Sequence, residues 1–135
     1  MSRIEQLTPE LTREYLLDGC IIAFQLNNMD WRTTDAWYEA NKAALEKWPA
    51  DRPILMLQDI AIHEAMPSSY FRTRSSELVK MRPDVHGRNA VVIHRSLTTQ
   101  ALRGLFIIVN RASGLRQRRL FFSREDAIRW LEEAL

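Results

Sequence analysis

Residue types that carry several common protein chemistries are scarce in this sequence. It has one cysteine and four glycines in 135 residues. A single cysteine cannot form an internal disulfide, which is typical of reducing compartments, so we expect a cytoplasmic protein. None of the glycines forms a G-x-G-x-x-G or Walker-type loop. The usual backbone cradles for nucleotide phosphates are therefore not expected, and we predict no cofactor.

Long hydrophobic runs and clustered metal ligands are also scarce. The longest apolar runs cover residues 20–24 and 105–109, far below the ~20 residues that a membrane-spanning helix needs, so we predict no transmembrane segment. His63 begins a His-Glu pair like that of zinc proteases, but the second histidine of that motif is missing. His86 and His94 complete no metal-ligand spacing either, so we predict no metal site.

The patterning predicts one α/β domain covering residues 1–135. Two β-prone runs, 15–17 and 20–26, flank Asp18-Gly19, a pair that favours a tight hairpin turn. Further strands are predicted at 54–57, 90–93 and 118–122 and helices at 33–48, 67–81, 97–112 and after Ser123. The resulting order is β-β-α-β-α-β-α-β-α. Alternating strands and helices favour a largely parallel sheet packed with helices, and the first hairpin makes that sheet mixed.

Several polar side chains fall at or just after the carboxyl ends of predicted strands, where open α/β sheets place their ligand crevices. The candidate ligand-binding residues are Asp59, His63, His94, Arg95 and Ser96. No serine lies in a G-x-S-x-G elbow, so we predict no catalytic residues and no enzymatic activity. A small enzyme using a crevice near Asp59, His63 and His94 remains an alternative.

Charge is unevenly distributed along the chain. Residues 1–66 carry six basic and eleven acidic side chains, whereas residues 67–124 carry twelve basic and two acidic ones. Such segregation can create one basic face that attracts an anionic partner. A bias toward arginine, with 16 Arg and 3 Lys, explains the same pattern without a function. The strands are too apolar for base stacking, so no nucleic acid is expected. The candidates for the basic face are Arg72, Arg74, Arg82 and Arg103.

Two segments of the sequence resemble a known family. The run NAVVIHRS and the ending LFFSREDAIRWLEEAL are similar to the last strands and closing helix of SpoIIAA-like proteins, within the STAS-domain superfamily of bacterial anti-sigma factor antagonists. The resemblance covers most of the chain. It implies a STAS-like fold and a non-enzymatic binding or regulatory domain. Its expected partner is a protein, a second copy of the chain, or an anionic or lipid-like ligand.

The same resemblance implies a regulatory serine. In the antagonists, a helix begins with Asp-Ser-Ser-Gly, and a partner kinase phosphorylates one of the serines. Here Ser68 and Ser69 begin the predicted second helix, and the flanking residues are Pro67 and Tyr70. A phosphate would be favoured at a helix N-terminus. The alternative is that Ser68 only caps the helix.

The predicted third helix, 97–112, has an apolar arc wider than one sheet can cover. The surplus can lie under a neighbouring helix, in a dimer interface or around a lipid-like ligand, and we expect self-association or apolar ligand binding with Phe106 or Ile107 near the centre of the surface.

Overall fold

The computed structural model describes residues 3–61, 68–94 and 115–135. Its strands form one six-stranded sheet in the order of the sequence. The strands are β1 Arg3–Thr8, β2 Leu11–Leu16, β3 Ile21–Leu26, β4 Ile54–Ile60, β5 Gly87–Ile93 and β6 Arg116–Phe121. The helices of the described residues are α1 Trp31–Lys47, α2 Ser69–Lys80 and α3 Arg124–Glu132. None of these helices has the length and apolar character that spanning a membrane requires.

The sheet is mixed, as the patterning predicted. Strands β1, β2 and β3 pair antiparallel, and β3, β4, β5 and β6 pair parallel. The predicted element order is nevertheless wrong at its start, because three strands precede α1 instead of two. The missed strand is β1, an exposed edge strand with few apolar residues. Side-chain pairs between β1 and β2 help to hold the edge strand in place, for example Arg13 Nη2 with Glu5 Oε2 at 2.9 Å.

Several boundaries differ from the sequence predictions. The β2–β3 connection covers residues 17–20 instead of two residues, since Leu16 pairs with Ile21. Strand β4 extends to Ile60, so Asp59 lies inside the strand and not after its end. Helix α1 is capped by Asp30, whose Oδ1 accepts from the Thr33 amide at 2.9 Å. The helix predicted to begin at residue 33 therefore begins two residues earlier, at Trp31.

Two predicted helix starts are confirmed. Ser68 Oγ accepts a hydrogen bond from the Phe71 amide at 3.1 Å, and Ser123 Oγ accepts one from the Asp126 amide at 3.3 Å. Both side chains satisfy amide groups that a helix leaves unpaired in its first turn. The predicted third helix, 97–112, lies outside the described residues.

The two faces of the sheet carry different helices. Alternate residues of a strand point to opposite faces, so Ile22 and Phe24 of β3 pack with α1 and α2, while Ile21 and Ala23 pack with α3. We call these the α1/α2 face and the α3 face. Strands β3, β4 and β5 are buried on both sides, which explains their nearly continuous apolar sequences.

Candidate functional site

The predicted ligand-binding residues Asp59 and His94 meet on the α3 face, at the carboxyl edge of the sheet. Asp59 is 9% exposed. Its Oδ1 lies 3.6 Å from His94 Nε2, and its Oδ2 lies 3.9 Å from Nη1 of Arg124. Arg124, in the first turn of α3, also donates to Glu14 of β2. The structure thus joins two sequence-predicted residues with two charged residues that the sequence analysis had not selected.

The surroundings of Asp59 oppose its ionisation only in part. Burial raises the pKa of the Asp59 carboxyl above its ordinary value, and the nearby charges of His94 and Arg124 limit that rise. Both distances to Asp59 exceed normal hydrogen-bond lengths, so the attraction is electrostatic. This cluster connects β2, β4, the end of β5 and the start of α3. Its geometry holds these elements together and keeps a carboxylate beside an imidazole.

Most other predicted site residues cannot be placed. His63, Arg95, Ser96, Phe106 and Ile107 lie outside the described residues. Their proposed roles in ligand binding and at an interface remain predictions.

The serine pair is placed at the start of α2. Ser68 is the N-cap and its hydroxyl is occupied by the Phe71 amide. Ser69 is exposed, and its Oγ lies 3.5 Å from Nη2 of Arg72. The capping role of Ser68 is therefore confirmed, and of the two serines Ser69 is the more accessible.

A cavity lies on the α1/α2 face, away from Asp59. It has a volume of about 50 Å³, room for roughly four water molecules. Its walls are mainly apolar, with polar side chains from α1, α2, β4, β5 and β6. The apolar lining residues are Trp37, Leu45, Ile54, Met56, Ile60, Phe71, Leu78 and Val91.

One side of the cavity is a closed hydrogen-bond network. Trp37 Nε1 donates to Gln58 Oε1 at 2.8 Å, and Gln58 Nε2 donates to Asn41 Oδ1 at 3.0 Å. Asn41 Nδ2 in turn donates to the Trp37 carbonyl at 2.8 Å. Gln58 and Asn41 are 4% and 2% exposed, and a buried amide without partners would be costly. This network fixes the position of α1 on the sheet.

The opposite side of the cavity contains polar atoms that are not satisfied. Ser75 Oγ on α2 and Asn89 Oδ1 on β5 are buried, and neither has a hydrogen-bond partner in the part of the chain that the structure describes. Ser75 is 4% exposed. Buried polar atoms are nearly always paired in folded proteins, so each such exception needs an explanation.

Two arginines of β6 line the cavity and differ in their surroundings. Arg116 donates to five backbone carbonyls at and just beyond the C-terminus of α2. Arg118 is the register partner of Asn89. Burial, followed by the repulsion of Arg116, lowers the pKa of Arg118 to about 10. No carboxylate is found among the described lining residues. The carbonyls bound by Arg116 belong to Leu78, Val79, Met81, Arg82 and Val85.

The arginines of the basic segment do not form one face. Arg88, Arg116 and Arg118 all line the cavity, but the guanidinium of Arg88 donates to the Trp130 carbonyl on the α3 face. Of the predicted candidates, Arg74 pairs with Glu77 at 3.0 Å and Arg82 pairs with Asp84 at 2.9 Å. The prediction of a single basic face is therefore wrong for the described residues, because internal pairs and helix ends take up these charges. Arg103 lies outside them.

Sequence reasoning missed the cavity because its polar residues lie singly within otherwise ordinary elements. Ser75 looks like a solvated helix position, and Asn89 precedes the apolar run 90–93. One usable signal was present. Arg118 occurs in a predicted strand, and a strand position that faces a helix layer rarely holds an arginine without a specific role.

Comparisons with known proteins do not add to this geometry. No family model, curated protein or solved structure matches the chain. Within the described ranges, no three His, Cys, Asp or Glu side chains converge as a metal site would need.

Proposed function

We propose that this protein is a non-enzymatic, STAS-like domain of regulatory type that binds a small ligand in the cavity on the α1/α2 face. The observation that carries the proposal is the pairing of an apolar cavity with two buried polar atoms, Ser75 Oγ and Asn89 Oδ1, that lack partners among the described residues. Ligand sites typically combine apolar walls with a few polar groups that fix orientation.

The STAS-like part of the proposal is supported by the element order after the first strand. A mixed sheet with alternating strands and helices is compatible with that fold. The segments NAVVIHRS and LFFSREDAIRWLEEAL supply the β5 strand and the β6–α3 ending, as the resemblance implies.

A cavity-filling variant tests the proposal. Ser75→Leu places an isobutyl group in the cavity, and Thr73→Leu, at an exposed position of the same helix, is the matched control. We would screen wild type and both variants against a library of small polar compounds, following backbone amide shifts by NMR. Compounds that bind wild type and Thr73→Leu should not bind Ser75→Leu. Equal binding to all three proteins, or no binding to wild type, would refute the proposal.

A phosphorylation switch at the start of α2 is the second candidate. The observation that favours it is the exposed Ser69 hydroxyl, 3.5 Å from Arg72 Nη2 at a helix N-terminus. A phosphate there would gain a charge-assisted hydrogen bond and the favourable end of the helix dipole. Intact mass after incubation with cell lysate should then show an 80 Da increase, about the mass of one phosphoryl group, in wild type and Ser68→Ala. Ser69→Ala should lack it. An unmodified wild type would exclude this candidate.

A further inference from the structure

We infer that two copies of this chain pair through the outer edge of strand β1, so that one sheet continues across both copies around a twofold axis at Ile4. The interaction surface is at the edge of the sheet opposite β6, and the inference does not depend on the cavity. A twofold dimer uses the same surface of both copies. Every contact away from the axis therefore occurs twice.

Strand β1 presents an edge that can accept a further strand. It pairs with β2 on one side, and no strand of the described residues pairs with its other side. Arg3, Ile4 and Gln6 are exposed along it, and Ile4 is 64% exposed. The N–H and C=O groups of an edge strand are a template for pairing with another chain. A second copy thus forms backbone hydrogen bonds there without unfolding any element.

The side chains of β1 alternate between the two faces of the sheet. Arg3 is opposite Tyr15, and Tyr15 is opposite Ile22 of the α1/α2 face. Arg3 and Glu5 therefore project on the α1/α2 face, and Ile4 projects on the α3 face. Around a twofold axis perpendicular to the sheet, opposite residues must share a face. Only a register centred on a residue allows this, because the two positions of each pair then differ by an even number.

Charge and regularity select Ile4 as the centre among the residues of β1. A register centred on Arg3 or Glu5 puts like charges directly opposite each other, which is destabilising. A register centred on Gln6 or a later residue crosses the irregularity between Gln6 and Thr8. Centred on Ile4, the strand places Arg3 of each copy opposite Glu5 of the other, and the two Ile4 side chains meet at the axis. Charged side chains usually protect an edge from pairing, but in this register their signs are complementary.

The charged groups are already held along the edge. Arg3 Nη2 lies 3.1 Å from Glu5 Oε1, and Arg13 Nη2 lies 2.9 Å from Glu5 Oε2. The hydrogen bond from Arg13 lowers the pKa of the Glu5 carboxyl, so Glu5 is ionised at neutral pH. The Arg3 guanidinium lies 4.6 Å from the centroid of the Tyr15 ring. Because a guanidinium has several N–H donors, Arg3 can bind Glu5 of both copies.

The short contact predicts a weak dimer. Strand β1 has six residues, and stable interfaces usually bury more than ~1,000 Å². We expect wild type to be monomeric at low micromolar concentration and increasingly dimeric toward about 1 mM, where a complex with a millimolar dissociation constant is about half formed. Sedimentation equilibrium measures the dissociation constant. Backbone amide shifts that change with concentration should locate the contact in β1.

Two charge variants provide the sharpest test. Arg3→Glu puts glutamates opposite each other at both pairs, and Glu5→Arg does the same with arginines. Each variant alone should dimerise about tenfold more weakly than wild type. Mixed in equal amounts, the two should form a heterodimer, because every acidic position is then opposite a basic one. Recovery on mixing separates lost pairing from a damaged strand, since mixing does not repair a fold.

A second variant tests the axis without altering Arg3 or Glu5. Ile4→Lys puts two positive charges beside each other and should also weaken dimerisation by about tenfold. Leu135→Lys is the matched control, because Leu135 is equally exposed, at 64%, and lies outside the sheet. It should dimerise as wild type does.

Several results would overturn the inference. Wild type that stays monomeric up to about 1 mM has no such interface. A dimer that Ile4→Lys and both charge variants leave unchanged is formed by another surface. Charge variants that remain monomeric when mixed, or equal weakening by Ile4→Lys and Leu135→Lys, would contradict pairing centred on Ile4.

Discussion

Gln58 and Asp59 are consecutive residues of β4, and their side chains enter opposite faces of the sheet. Gln58 is on the α1/α2 face, where Trp37 and Asn41 satisfy its amide with short, direct hydrogen bonds. Asp59 is on the α3 face, where Arg124 and His94 surround it at 3.9 and 3.6 Å. One face thus holds its buried polar group by neutral hydrogen bonds, and the other by charge.

Both faces contain buried polar atoms without a hydrogen-bond partner among the described residues, and the faces differ in what surrounds those atoms. On the α3 face, Asp59 Oδ1 is such an atom, and Arg124 lies between the carboxylates of Glu14 and Asp59. On the α1/α2 face, Ser75 and Asn89 keep unsatisfied atoms beside a cavity. The cavity beside Ser75 and Asn89 is therefore what distinguishes the α1/α2 face, and it is the observation that supports the proposed binding site there.

The largest expected effect concerns Arg116 of β6, on the α1/α2 face. Arg116→Met removes the donor for five carbonyls around the end of α2. Because a charged donor is lost and the carbonyls stay partly buried, we expect the free energy of unfolding to fall by about 3 kcal/mol. Urea denaturation measures this, with Arg119→Met as the control. If Arg116→Met lowers stability no more than Arg119→Met does, the hydrogen bonds of Arg116 to these carbonyls do not stabilise the fold.

The next effect concerns the neutral network on the α1/α2 face. Gln58→Leu keeps the side-chain volume and leaves Trp37 Nε1 and Asn41 Oδ1 without the hydrogen bonds that Gln58 supplies. We expect a loss of about 2 kcal/mol, since buried unpaired polar groups cost 1–3 kcal/mol each and the structure relaxes in part. Gln25→Leu is the matched control on the α3 face, where Gln25 donates to the exposed Asn27. Equal losses in both variants would contradict the difference drawn between the faces.

A smaller effect is expected from the charge cluster on the α3 face. Arg124→Met leaves Glu14 and Asp59 without their shared cation. The Arg124 side chain is 35% exposed, so solvent screens the pairs and we expect a loss of about 1 kcal/mol. Arg129→Met, in the same helix, is the control, because its pair with Asp126 is largely exposed. A loss of several kcal/mol would mean that the cluster is far less screened than its exposure indicates.

The smallest effect depends on pH. Burial raises the pKa of Asp59 in the folded protein, so the folded state binds its proton more readily than the unfolded chain. The stabilisation that comes from this tighter proton binding is present at low pH. It is lost as the pH rises through the pKa of Asp59 in the folded protein. Asp59→Asn should therefore be slightly more stable than wild type near pH 7. The advantage should vanish near pH 3, where Asp59 is protonated in both states. Thermal unfolding at both pH values measures the difference, and an advantage of wild type near pH 7 would contradict it.

Much of the fold could be predicted from the sequence because local signals were strong. The structure contains the strands β3, β4 and β5 that were predicted from apolar runs. Helix α1 also ends before the proline that follows it. Strand β1 was missed because an edge strand covered on one side needs little apolar sequence. Ser68 and Ser123 were found as caps, since a capping side chain acts on the backbone three residues away.

The candidate site was harder to predict because its residues are far apart in sequence. Asp59 and His94 could be predicted to lie near each other because both follow apolar runs of neighbouring strands. In the structure, Asp59 Oδ1 lies 3.6 Å from His94 Nε2. The meeting of Ser75, Asn89 and Arg118 around one cavity could not be predicted by such a rule. No sequence pattern tells which helix position will face which strand position.

The sequence alone determined the α/β fold class. Apolar periodicity, caps and turn residues act over a few positions and therefore fix helices and strands locally. Only the tertiary structure decided which face each side chain enters, because a shift of one residue in a strand moves every side chain to the other face. That choice placed Asp59 beside Arg124 and Arg118 beside Asn89. The cavity follows from it, because a cavity depends on how α1 and α2 pack across β4, β5 and β6, and packing is a property of the assembled layers.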